Sequence, residues 1–210
     1  MIQFASTKGE VQTGQIGYSA QLAHNIPGEV ATVETGTGSV TPSNQGAELS
    51  VSETGDEADV IGMSVWETDN LQYAATFVFA VEGGSYPTQN AAIIGAQRGI
   101  DSVSSARSLG LDLKNDRFIV GDYDNPDATF DLSNEIRGGS TYVLQMIVDE
   151  ESDETIFKLK GENTDVEVVI DAVRAVQNAT NQEHRLMGIE GTDGASESIY
   201  LGTVSQTWRI

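Results

Sequence analysis

The chain of 210 residues contains no cysteine. Disulfide staples, thiolate nucleophiles and thiolate metal ligands are therefore excluded, and stability has to come from packing. Histidine is nearly as scarce: His24 and His184 stand far apart, neither in the spacing of a metal site or a catalytic triad. No Gly-x-Ser-x-Gly elbow occurs, and Gly36-Thr37-Gly38 is followed by neither a helix nor the Lys-Ser/Thr pair of a phosphate loop. No run of about 18 apolar residues is present to span a membrane as a helix. The first residues lack the basic start and apolar stretch of a secretory signal, so the expectation is that the mature chain begins here. Without such a signal, the acceptor pattern Asn178-Ala179-Thr180 carries little weight as a glycosylation site.

Positive charge is the other shortage. Eleven Lys and Arg face 32 Asp and Glu, a formal net charge of -21, and Lys8, Lys114, Lys158 and Lys160 are the only lysines. Charge of this sign repels nucleic-acid phosphates and anionic head groups wherever salt does not screen it, so neither nucleic acid nor membrane insertion is expected. It favours solubility at high concentration and suits a saline setting as well as it suits an ordinary acidic protein.

What remains is a chain that is 39% hydrophobic with 22 glycines and 4 prolines, a turn-rich globular composition. The length fits one core, so residues 1–210 are expected to form a single all-β domain. In residues 109–120, Leu109, Leu111 and Leu113 alternate with small or polar residues, and Phe118 and Val120 resume the alternation after Asn115-Asp116, which predicts a hairpin. A second hairpin is predicted over residues 141–160, where Tyr142, Leu144, Met146 and Val148 share a face that Phe157 and Leu159 can meet before Gly161. The apolar run 73–81, with Phe77 and Phe79 two apart, reads as a central strand buried on both sides. Further strands are expected at 47–51, 60–66, 92–96, 166–170, 186–189 and 199–208. One short helix is expected at 171–181, with Asp171 as its cap. Residues 1–45, rich in Gly, Ser, Thr and Asn, read either as an extended arm or as edge strands. The fold class that follows is all-β, a two-sheet antiparallel β-sandwich.

The order of these pieces carries a resemblance. Thr76-Phe77-Val78-Phe79 is followed by Ile93-Ile94-Gly95, then by the 109–118 hairpin and Thr141-Tyr142-Val143-Leu144. A charged hairpin ending in Lys160-Gly161 and a closing Tyr200-Leu201-Gly202-Thr203-Val204 complete the series. Over roughly residues 70 to 210 this resembles the concanavalin A-like, laminin-G-like jelly roll, of the kind also found in phage and virus structural proteins. The resemblance implies that the tyrosine strand and the glycine-ending hairpin lie side by side and that the last strand returns next to the first. It covers lectins, glycan-processing enzymes, adhesion modules and virion proteins, so fold alone does not choose among them.

Residues with chemistry are few. In residues 121–131, Asp122, Asp124 and Asp127 crowd into one acidic loop and are the candidate calcium ligands, since calcium takes clustered hard oxygens. The resemblance adds to this, because concanavalin A-like domains often hold calcium near their loop rim. Tyr123 in the same loop is the candidate carbohydrate-stacking residue; Trp66, Trp208, Tyr73 and Tyr86 are alternatives if exposed. Asp165 and Glu167 alternate on one strand as a retaining glycosidase's carboxylates would, but so does any amphipathic strand, and the family's Glu-x-Asp-x-x-Glu signature is absent. No catalytic residue is assigned. Two functions are therefore expected. The first is a non-enzymatic virion component, a capsid decoration, turret or tail-associated protein that assembles as a homo-oligomer with other virion proteins. The alternative is a carbohydrate-binding or adhesion module, extracellular or at a cell surface, that recognises a host glycan with or without calcium.

Overall fold

In the computed structural model the described residues are 15–22, 30–62, 72–83, 88–98, 102–133, 135–149, 152–171 and 184–209. They form fifteen strands. These are β1 (Gln15–Gln21), β2 (Ala31–Thr35), β3 (Ser39–Ser43), β4 (Gly46–Val51), β5 (Glu57–Gly62), β6 (Gln72–Val81), β7 (Ala91–Arg98), β8 (Arg107–Asp112), β9 (Arg117–Asp122), β10 (Pro126–Asp131), β11 (Thr141–Asp149), β12 (Glu154–Lys160), β13 (Asp165–Ile170), β14 (His184–Glu190) and β15 (Glu197–Arg209). A single 3-10 turn, Val103–Ser105, is the helical element among the described residues. The helix expected at 171–181 lies outside them beyond Asp171, and so does the stretch 63–66 of the strand expected at 60–66.

One sheet has eight strands in the order β13-β12-β11-β6-β15-β4-β3, with β1 also paired to β15; the other has seven, β10-β9-β8-β7-β14-β5-β2. The two hairpins read from the sequence are present in register. Leu111 faces Phe118 and Leu109 faces Val120 across β8 and β9, while Leu144 faces Leu159 and Met146 faces Phe157 across β11 and β12. β15 returns to pair with β1 and, along its first half, with β4. The described part of residues 1–45 therefore builds edge strands within both sheets: β2 and β3 each end a sheet, and β1 flanks β15.

Period-two alternation puts one apolar row of each strand into the space between the sheets. Tyr73, Ala75, Phe77, Phe79 and Val81 of β6 point inward and are buried, while Ala74, Thr76 and Val78 on the outer side are only half-buried. β6 is thus central in its sheet but covered on one face, not on both as its apolar run suggested; Ala and Thr tolerate partial exposure and need no second layer. Two bulges keep the inward rows continuous. One lies between Leu201 and Thr203 of β15, so that Leu201 and Val204 both reach the core. The other lies between Arg185 and Met187 of β14; Leu186 and Met187 both pack inward there while Arg185 stays on the opposite face.

The sheets are joined by an aromatic stack. Phe118 of the seven-stranded sheet and Phe157 of the eight-stranded sheet lie with ring centroids 4.6 Å apart and planes 8° from parallel, and neither is accessible to solvent. Replacing one ring by a methyl group leaves a cavity the opposite sheet cannot fill. Phe157→Ala is expected to cost about 3–5 kcal/mol, read as a lower urea midpoint with an unchanged m-value; a loss below about 1 kcal/mol would mean the sheets close over the gap.

Candidate functional site

The loops at one end of the sandwich are tied together by main-chain hydrogen bonds. Thr88 N–H donates to Leu113 O, Leu132 N–H to Asp116 O, Gly139 N–H to Val81 O and Gly55 N–H to Gly191 O. Three buried acids fasten this rim further. Asp112 accepts the N–H of Lys114 and of Asn115, the Asn115 side-chain amide, Arg117 Nε at 2.9 Å and the Tyr123 hydroxyl at 2.7 Å. Glu197 accepts the N–H of Gln89 at 2.7 Å and of Asn90 at 2.9 Å, and Asn90 Oδ1 in turn accepts Thr192 N–H and Asp193 N–H. Asp56 accepts the N–H groups of Thr37, Ser52 and Glu53 and the Thr37 hydroxyl. These donors, the Thr37 hydroxyl foremost, hold the Asp56 carboxyl well below the usual carboxylate range.

On this rim lies a pocket of about 400 Å³, between the segment joining β10 to β11 and the turn joining β12 to β13. Ser133, Glu135, Arg137, Ser140, Glu162 and Asn163 line it, with Tyr142 and Thr164 at its buried side. Its frame is fixed from below. The Tyr142 ring stacks on Phe79 at 5.6 Å, and its hydroxyl accepts Arg137 N–H at 2.7 Å. The Thr164 hydroxyl donates to Glu135 O at 2.6 Å, which joins the pocket's two walls. Gly161 is required by contact: a Cβ there would lie 2.5 Å from Cδ1 and Cε1 of Tyr142. Guanidinium, carboxylate, amide and hydroxyl groups converge on a space of the size that small ligands occupy, an arrangement suited to a ligand dense in hydroxyls.

A second polar group sits on the outer face of the seven-stranded sheet and is closed off. Arg185 is inaccessible to solvent; its Nε lies 2.6 Å from Asp59 Oδ1, and its Nη2 contacts Glu57 Oε1 at 2.5 Å and Asp59 Oδ2 at 2.9 Å. Its Nη1 donates to Gln97 Oε1. Gly188 makes the room, since a Cβ there would fall 2.3 Å from Arg185 Cδ and 2.4 Å from Asp59 Oδ1. The turn 103–105 caps the group: Gln97 Nε2 donates to Val103 O, and Ser104 N–H donates to Glu190 Oε2. Ala91, Ile93, Val103, Ile119 and Tyr123 form a small apolar cluster under the same cover.

The residues singled out from sequence fare differently. Tyr123 is 2% exposed, its hydroxyl donating to Asp112 and accepting Ala92 N–H, so its ring offers no stacking face: it anchors the rim from within. Residues 121–131, read as an acidic loop, are mostly strand, because Pro126 to Asp131 pair with β9 as an edge strand whose first residue is the proline. Asp122 and Asp127 both contact Arg107, at 3.4 and 3.0 Å, and Asp124 is exposed in the turn between them. Arg107 thus supplies positive charge where calcium was expected, and no group of three or more His, Cys, Asp or Glu among the described residues is placed to hold a metal ion. Asp165 and Glu167 face solvent on edge strand β13, 3.7 Å from Lys160 and 3.1 Å from Lys158. Tyr73 is a core residue, whereas Trp66, Tyr86, His24 and Asn178 lie outside the described residues. No helix among the described residues is long and apolar enough to cross a membrane. The sequence reading missed both polar groups. Glu57 and Asp59 alternate with the inward Ala58 and Val60, and this was the available signal for one of them.

No family model matches the chain, and no curated protein matches it. Solved structures do. A protein of unknown function from Shewanella oneidensis MR-1 superposes with a TM-score of 0.69 at 12% identity, over 97% of this chain and 90% of that one. The Lotus tetragonolobus seed lectin gives 0.65 at 10% identity over 92% and 98%, and the metal-free form of lectin I-B4 from Griffonia simplicifolia gives 0.65 at 11% over 93% and 100%. The fold is the concanavalin A-like jelly roll.

The closed group on the outer face titrates in an observable range. Burial first, and then the charges of Asp59 and Glu190, push the Glu57 carboxyl from 4.5 up to about 7, with Arg185 pulling the other way. Burial raises Asp59 as well. Between those two values the folded chain holds a proton that the unfolded chain has released, so stability falls as pH rises from about 4.5 to 7 and levels off above it. Asp56 acts in the opposite sense, but only below its ordinary value of 3.8. Urea midpoints are therefore expected to rise as pH is lowered from about 8 to 5, with most of the slope gone in Glu57→Gln. A flat wild-type profile would show that the carboxyl is ionised throughout.

Proposed function

We propose that this chain is a carbohydrate-binding or adhesion module, without catalysis of its own, that acts outside the cell or at its surface and receives a sugar in the rim pocket. The observation that carries the reading is the polar pocket lined by Ser133, Glu135, Arg137, Ser140, Glu162 and Asn163 on the rim of a lectin-like sandwich, its walls already braced by Tyr142 and Thr164. Sugar recognition needs donors and acceptors fixed in advance, since each hydroxyl brought out of water must be met. Glu135, Glu162, Asn163, Ser133 and Ser140 supply donors and acceptors, and the hydrogen bonds of the Tyr142 and Thr164 hydroxyls brace the segments that carry them, which lowers the ordering cost.

The particle-component role has no viral protein behind it among the structural relatives named above, two of which are lectins. Self-association into a homo-oligomer belongs to the proposal on physical grounds: one small polar pocket binds weakly, and an adhesive surface gains avidity from repeated copies.

A glycan array run with and without EDTA tests the reading. Binding to a defined set of glycans is expected in both conditions, because the pocket draws on none of Asp122, Asp124 and Asp127, and Asn163→Ala is expected to weaken it about tenfold or more. Binding abolished by EDTA would give those three aspartates a calcium role after displacement of Arg107. A blank array in both conditions removes the carbohydrate reading.

A further inference from the structure

Cations are rare in this chain, and among those whose side chains are described nearly all are already paired. Arg107 meets Asp122 and Asp127, Lys114 meets Asp193 and Arg117 meets Asp112. Lys158 meets Glu167, Lys160 meets Asp165, and Arg185 meets Glu57 and Asp59. Arg137 is the exception among the described side chains. It shares the rim pocket with Glu135 and Glu162, yet its guanidinium lies within ion-pair distance of no described carboxylate. A cation at the mouth of a pocket that pairs with none of the described carboxylates is a group available to a ligand there.

We infer that the pocket takes an acidic glycan, one whose sugar ring carries a carboxylate, and that Arg137 reads that carboxylate. The inference rests on the carbohydrate reading of the same pocket. The guanidinium presents a planar fork of donors that matches a carboxylate bidentately, which a lysine would not do. The backbone that carries it is fixed, since its N–H donates to the buried Tyr142 hydroxyl at 2.7 Å and that hydroxyl donates back to Arg137 O at 3.4 Å. Glu135 and Glu162 form no ion pair with Arg137 and would accept ring hydroxyls beside it, while Ser133, Ser140 and Asn163 donate or accept as needed. Opposite demands within one pocket, a carboxylate at the guanidinium and hydroxyls at the two glutamates, describe a uronic acid better than a neutral sugar or a bare anion.

The net charge of -21 adds a signature that separates recognition from simple ion exchange. At low salt the whole molecule repels an acidic glycan over a Debye length of about 30 Å, which shrinks to about 8 Å at physiological ionic strength. A contact made at hydrogen-bond distance survives that screening, whereas the long-range repulsion does not. Affinity for the acidic glycan is therefore expected to hold or rise as salt increases to physiological strength.

The test is calorimetric titration with an oligogalacturonate and with the same oligosaccharide after reduction of its carboxyl groups. The wild-type chain is expected to bind the acidic form about tenfold or more tightly than the reduced form, and Arg137→Gln is expected to bring the two within about twofold of each other. Arg137 is exposed, so the variant should fold, and its circular dichroism and urea midpoint check that it does. Equal binding of both forms by the wild type, or a preference that persists in Arg137→Gln, overturns the role of Arg137 and leaves the carbohydrate reading standing. Binding of neither form beside a positive glycan array also overturns the acidic-glycan inference alone. Binding of neither beside a blank array ends both.

Discussion

A carboxylate taken out of water must be met by donors, and at the rim of this sandwich the chain meets it from its own residues. Asp112 is inaccessible to solvent and takes two main-chain N–H groups, an amide, a guanidinium nitrogen and a phenol. Glu197 and Asp56 play the same part for the segments at 89–90 and 52–53. Loops at the end of a β-sandwich otherwise cost considerable entropy to hold still. Here the segments at 52–53, 89–90 and 114–115 are pinned by hydrogen bonds to carboxylates that would be expensive to leave unsatisfied. The pocket borders this rim and has braces of its own, the Tyr142 hydroxyl on Arg137 and the Thr164 hydroxyl on Glu135.

The two sides of the seven-stranded sheet illustrate how burial decides availability. Its inner face is apolar and stacked against the eight-stranded sheet through Phe118 and Phe157. Its outer face carries Glu57, Asp59 and Arg185, a set of charges that would look functional on an open surface. The turn 103–105 lies over that face, linked through Gln97 and Glu190, and Gly188 gives up its side chain so that the ion pair fits. The Arg185 guanidinium there is committed to stabilising its neighbours. Arg137, at the rim, has no such commitment among the described residues, and this contrast gives the pocket its chemical character.

Period-two alternation made much of the fold legible. Both hairpins and the inward rows of β8, β9, β11 and β12 could be read from where Leu, Phe, Tyr and Val recur, whereas the return of the last strand beside the first was implied by the jelly-roll resemblance. β10 was hidden because Asp127, Thr129 and Asp131 make an edge strand look like a loop, and edge strands need not be apolar. The site was mostly illegible for a related reason. Asp122, Asp124, Asp127 and Tyr123 are close in sequence, and proximity in sequence drew attention to them. Tyr123 then proved buried, and Arg107, fifteen residues before Asp122, proved to be the partner of two of the acids. The pocket is assembled from Ser133, Glu135, Arg137, Ser140 and Tyr142 with residues 162–164, and neither group forms a motif. Only the pairing of β11 with β12, and of β12 with β13, brings them to one place.

The rim that borders the pocket is held rigid by the chain's own carboxylates, and amide hydrogen exchange on the EDTA-treated protein tests this most directly. The N–H groups of Ser52, Glu53, Gln89, Asn90, Lys114 and Asn115, all donors to Asp56, Glu197 or Asp112, are expected to exchange far more slowly than open loop amides and close to the rate of the strands they adjoin. Exchange of these six amides at the rate of an unstructured loop, with the strands still protected, would contradict the account.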